Sequence, residues 1–195
     1  MGPGAGAAAV LPRGMDEKAG DRAMALLETI LRGYVLDPDG LHGIRHWGRV
    51  LENGLKLAAI NGADARVVVL FAALHDARRE NDDDDPEHGS RGASLGRVLR
   101  EGGPLQSALS ALTDGSFELL VTACTLHTSA RSHPDITVAT CFDADRLDLP
   151  RCGIRIDPSR LCTRAARDLA VVRWATARSL ANHVGDGLAL LRALE

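Results

Sequence analysis

Six polar side chains sit in stretches of this sequence where apolar residues are expected: His46, His75, Asp76, His127, Asp143 and Asp145. A single histidine on a helix is usually a hydrogen-bonded core residue, and each of these, taken alone, would be read that way. The adjacent pair His75-Asp76 is harder to explain. It follows directly on residues 67–74, an unbroken apolar run. Two of the side chains most costly to bury thus end the segment with the strongest claim to the interior. Neighbours on a helix point about 100° apart, so one object touches both only at the boundary of their faces, with other helices completing its surroundings. A divalent cation fits that description and offsets the carboxylate charge.

In chain order the surrounding residues read H-G-I-R-H-W-G-R-V over 42–50, L-H-D over 74–76 and F-D-A-D-R-L-D over 142–148. This ordered set resembles the HD superfamily of metal-dependent phosphohydrolases, whose pattern is a histidine, an adjacent His-Asp pair and a distant aspartate on a helical bundle. The likeness spans residues 41–149 and leaves both ends of the chain uncovered. It implies an all-α fold, a single bundle of about six to eight helices, with a divalent cation held by His46, His75, Asp76 and Asp143. Asp145 rivals Asp143 for the last place, and Asp143 is favoured. His42, one helical turn before His46, is a further ligand or, preferably, a hydrogen-bonding support. Some branches of the superfamily carry two more histidines in this order and hold two metals. His88 and His127 fall in that order and would bind a second cation; otherwise His88 caps a helix or meets phosphate, and His127 is a polar core residue.

The ligand set suits Mn, Fe, Co, Ni, Zn or Mg. Such a cation brings the pKa of its bound water toward about 7 and polarises a phosphoryl oxygen. The expected reaction is therefore attack of a metal-bound water on the phosphorus of a small phosphorylated substrate, with a nucleotide as the first candidate. Phosphate needs cationic partners. Arg49, three residues after His46 and on the same helix face, is the first choice, followed by Arg78 and Arg79 after the His-Asp pair and Arg91 near His88. Beside Asp76, the acidic residues Glu80 and Asp82 in R-R-E-N-D are candidates for proton transfer to the leaving group. His133, His183 and the stripe Arg160, Arg164 and Arg167 read as surface features. Two other functions fit the pattern: a di-iron oxygenase of the same general type, and a helical domain that binds metal or senses a ligand without turnover.

These residues need a scaffold, and the composition indicates which. Of 195 residues 45% are hydrophobic but only 3% aromatic, so the core must be built from Leu, Val, Ile and Ala, which favours packed helices over sheet. Apolar residues at helical spacing predict helices over 16–32, 41–61, 63–74, 88–101, 104–112 and 116–128, and 136–149, strand or helix by propensity, is read as helix because everything around it is helical. Asp157-Pro158 is a helix-start signature, and it predicts that the last long helix runs from there to residue 182, with a short helix at 187–194. Residues 1–15 read as a tail and 16–195 as one domain. Residues 80–87 form an acidic loop, read as solvated.

The net charge of −3, from 23 basic and 26 acidic residues, provides no broad positive field, so no stable nucleic-acid binding is expected. The only lysines are Lys18 and Lys56, an arginine bias read as base composition rather than phosphate recognition. No stretch approaches the roughly 20 apolar residues of a membrane span, and 1–13 lack a basic leader, so no membrane partner is expected. The four cysteines show neither C-x-x-C pairing nor zinc-ribbon spacing, as in a reducing, cytoplasmic setting. Oligomeric state is left open.

Overall fold

The computed structural model describes residues 28–102 and 106–183. Among them the chain is all-helical, with no strand. A helical turn at 28–31 (α1) precedes α2 (Ile44–Asn61), α3 (Ala65–Leu74), α4 (His88–Glu101), α5 (Gln106–Ser110), α6 (Asp114–Leu126), α7 (Ile136–Arg146) and α8 (Leu169–Leu180). Two 3-10 turns, Leu149–Cys152 and Pro158–Arg160, lie between α7 and α8. The expected all-α bundle is therefore what the chain forms. The readings for 1–15, for 16–27 and for 187–194 lie outside the described residues.

The apolar run lies where its composition requires. Every residue of α3 from Val67 to Leu74 is buried, and α3 packs against α2, α4, α6 and α7. Aliphatic residues and four large rings, Trp47, Phe71, Phe117 and Phe142, fill this main core. A smaller core of Leu57, Leu147, Ile156, Leu161, Val171 and Ala175 fixes α8 and the segment before it. Among the described residues no helix is long and apolar enough to cross a membrane.

Helix ends follow local chemistry. Asp64, Thr113, Asp135 and Asp168 each accept a backbone N–H in the first turn of α3, α6, α7 and α8. α2 stops at Gly62, whose φ of 78° suits a residue without Cβ and whose N–H donates to the Ala58 carbonyl. Two other glycines set the distance between helices. A Cβ on Gly89 would lie 2.2 Å from the Cys124 carbonyl oxygen, and one on Gly92 would lie 2.3 Å from that of Leu74. α4 thus begins wedged between the C-terminal ends of α6 and α3, which carries His88 toward both His127 and Asp76.

One sequence expectation fails here. Asp157 caps Ser159 N–H as its signature suggests, but the helix it starts is only the turn Pro158–Arg160. Leu161 is extended (ψ 145°), and α8 begins behind a second cap, Asp168. The N–H groups of Cys162 and Thr163 instead donate to the Asp143 carboxylate at 2.6 and 2.7 Å. In a helix interior those N–H groups would be bonded to carbonyls of the preceding turn.

Candidate metal centre

Five helix ends meet at one buried point. His46 lies in the first turn of α2, His75 and Asp76 in the turn that closes α3, His88 at the start of α4, His127 just past α6, and Asp145 in the last turn of α7. His46, His75, Asp76, His88 and His127 are all at most 3% exposed. Two sets of ligand atoms converge there, His46 with His75 and Asp76, and Asp76 with His88 and His127, each within 4.8 Å of one another. Either set could hold a metal ion.

The hydrogen bonds on the far side of each ring fix what the near side presents. His75 Nδ1 lies 3.1 Å from the Phe71 carbonyl oxygen and His127 Nδ1 lies 2.7 Å from that of Cys124. His88 Nδ1 lies against the Asp85 carbonyl oxygen, and His46 Nδ1 lies 2.8 Å from Asp148 Oδ2. All four of these oxygens can only accept, so every Nδ1 donates and every neutral ring turns a bare Nε2 lone pair inward. Arg79 Nη1 does not upset this at His88. It lies 3.1 Å from Nδ1 and 3.3 Å from Nε2, and a guanidinium N–H can donate only to the bare nitrogen, Nε2.

The inward nitrogens then face each other in pairs: His46 Nε2 and His75 Nε2 at 3.1 Å, His88 Nε2 and His127 Nε2 at 2.9 Å. Two acceptors at such a distance with no hydrogen between them repel. The Asp76 carboxylate adds negative charge to both pairs. Its Oδ2 is 3.5 Å from His46 Nε2 and 3.7 Å from His75 Nε2, while its Oδ1 is 3.1 Å from His88 Nε2. An arrangement of acceptors alone fits cations, one beside each pair, with Asp76 shared between them. Imidazoles whose outer N–H is anchored to an oxygen are also how proteins orient metal ligands.

Electrostatics agree at His75 and His127, while His88 differs. Burial lowers the pKa of His75 to about 3 and lowers that of His127, keeping both rings neutral. At His88 burial also pulls downward, but the Asp76 carboxylate outweighs it and the pKa is raised. Burial works to raise Asp76, yet its pKa lies well below the usual carboxylate range, the direction that positive charge among His75, His46 and His88 imposes.

The last aspartate differs from the sequence expectation. Asp143 is fully buried but faces the other way, its two oxygens taken by the Cys162 and Thr163 N–H groups. Asp145 Oδ1 lies 3.5 Å from His46 Nε2, with its side chain 17% exposed. Against the effect of burial, His46 and His75 lower its pKa. Asp145, not Asp143, is therefore the aspartate of α7 that lies beside the first set. Asp145→Asn is expected to weaken metal binding at least about tenfold. Asp143→Asn should leave metal content unchanged and cost about 1–3 kcal/mol of stability, because its amide group would face a backbone N–H. Metal analysis and thermal melting of the two variants check this contrast.

The arginines are corrected too. Arg49 is on the face of α2 that was expected, but its Nε donates to Asp148 Oδ1 at 2.7 Å and its Nη1 to Asn182 Oδ1 and the His183 carbonyl. It is 3% exposed and props the Asp148 that orients His46, so it is not placed to grip a substrate. Arg78 donates to the carbonyls of Ile30 and Ala77, away from the centre. Arg91 is committed to Asp85 at 2.6 and 2.7 Å and to the Arg78 carbonyl. Only Arg79 reaches the cluster, with Nη1 3.7 Å from Asp76 Oδ1.

Of the acidic candidates, Glu80 is an exposed side chain 3.4 Å from Arg91, outside the cluster. Asp82 accepts from His42 Nδ1 at 2.8 Å, and the His42 ring stands edge-on to His46 at 6.2 Å between centroids. His42 thus takes the supporting place rather than a ligand place. The acidic loop is not wholly solvated, since Asp85 is buried and accepts the Glu80 N–H as well as Arg91.

Two residues with a bearing on the site escaped sequence reasoning. Asp148 stood within D-A-D-R-L-D, three positions after Asp145, and that spacing was the only signal. Tyr34, the one tyrosine, gave none. Its hydroxyl is buried without a hydrogen-bond partner among the described residues, and burial together with the Asp76 and Asp82 charges raises its pKa. No family model, curated protein or solved structure matches this chain, so the assignment of the centre rests on its own geometry.

Proposed function

We propose that the protein is a metal-dependent phosphohydrolase acting on a small phosphorylated molecule. The carrying observation is the facing of bare Nε2 atoms, His46 with His75 and His88 with His127, across one shared carboxylate, Asp76. Divalent cations bound there would supply activated water and would polarise the phosphoryl oxygens. His46, His75, Asp76 and Asp145 would hold one, and Asp76, His88 and His127 the other. Arg79 adds positive charge at the rim where the transferring phosphoryl group gathers negative charge. Asp82 acts through His42, whose ring can carry a proton between that exposed carboxylate and the leaving group; burial lowers the His42 pKa, which favours release of the proton.

Metal analysis after loading with Mn, Co or Ni is expected to give two equivalents per chain, and His127→Ala one. The loaded protein should release phosphate from a member of a panel of nucleotides and phosphate monoesters. Phosphate release from none of them would remove the hydrolase assignment. The four-imidazole set also suits a di-iron oxygenase, and oxygen consumption by the iron-loaded protein without phosphate release would favour that function.

A further inference from the structure

Beside the ends of α6 and α7 lies a cavity of about 610 Å³, within the range of about 300–1,000 Å³ common for small-molecule sites. Four arginines line it: Arg131, Arg146, Arg155 and Arg160. Two of them build the walls. Arg146 donates to the carbonyls of Ala130, Arg131 and Arg160, and Arg131 to that of Ser159. Carbonyls satisfy their N–H groups without neutralising their charge. Arg155 and Arg160 are exposed, and among the described residues no hydrogen bond or ion pair engages either side chain.

Among the described residues two carboxylates lie in the field of these four arginines, fewer than the arginines themselves. Asp157, near Arg160 and Arg131, accepts the Ser159 N–H, and Asp143, near Arg146, accepts those of Cys162 and Thr163. Positive charge is therefore in excess. The rest of the wall carries Thr128 and Ser129 beside an apolar side that includes Leu149, Ile156 and the half-exposed Ile154, and it holds no aromatic ring.

We propose that this cavity binds a phosphorylated small molecule, its phosphate held by Arg155 and Arg160 and its apolar body lying on Leu149, Ile154 and Ile156. Guanidinium groups meet phosphate oxygens in bidentate pairs, and a wall without aromatic rings selects an aliphatic body over a stacked base. The binding needs no cation and stands apart from the hydrolase assignment.

The test is calorimetric titration of the full chain with n-butyl phosphate in the presence of EDTA. Saturable binding is expected, weakened at least tenfold by the double substitution Arg155→Ala and Arg160→Ala and unchanged in Asp76→Ala. The double lysine variant, which keeps the charge but not the fork, should fall between. Absence of saturable binding, undiminished binding by the double alanine variant, or loss of binding in Asp76→Ala with its helical circular dichroism intact would each overturn the proposal.

Discussion

Asp76→Ala is expected to empty both cation positions at once, because one carboxylate faces both pairs of imidazoles. Metal analysis should fall from two equivalents to none under conditions that saturate the native chain. Removing a partner behind a ligand commonly costs 10–100-fold in affinity, and the loss of a shared ligand should exceed about 100-fold. Phosphate release should disappear with the metal. The fold should survive, since α3 is held by its apolar residues and not by Asp76, so circular dichroism should be little changed. The rise in melting temperature on adding metal, about 2.7 kcal/mol of stabilisation at a hundredfold excess over Kd, should vanish. Retention of one equivalent would show that Asp76 serves only one pair.

Asp148→Ala should be the most destabilising single change at the site. Asp148 is 1% exposed and is shared by His46 Nδ1 at 2.8 Å, Arg49 Nε at 2.7 Å and, more distantly, Arg151 Nη1 at 3.7 Å. Removing it leaves the Arg49 guanidinium buried without its carboxylate, a loss of about 3–5 kcal/mol. It also frees the His46 ring, and metal affinity should fall about 10–100-fold. Urea unfolding of the metal-free protein reads the first effect and metal titration the second. The pH dependence has a definite sign. Against the effect of burial, His46 and Arg49 lower the Asp148 pKa to about 2, from an ordinary 3.8. Its contribution to stability is thus complete above about pH 4 and is lost as pH falls toward 2.

What the sequence made legible was local. The run at 67–74 had to be a buried helix, and the polar pair at its end had to meet something that offsets charge. The choice between Asp143 and Asp145 was not local. Two positions apart on α7 they point to opposite sides, and the side that faces inward depends on Cys162 and Thr163, whose N–H groups take Asp143 from 19 and 20 positions downstream. Arg49 was placed on the correct face of α2 for the same local reason, yet its role depended on Asp148, 99 positions away. The start signature at Asp157-Pro158 was read correctly as a cap, but nothing nearby in sequence showed that the helix would stop after one turn.

The wedging of α4 has a mechanical consequence. Gly89 and Gly92 bring main chain against main chain, with no side chain between to yield by changing rotamer. The separation of His88 from His127 is therefore set by main-chain contacts. A cavity framed in this way resists dilation, so the second position should discriminate by ionic radius, accepting small first-row cations and rejecting calcium, whose longer bonds and higher coordination number need a frame that can open.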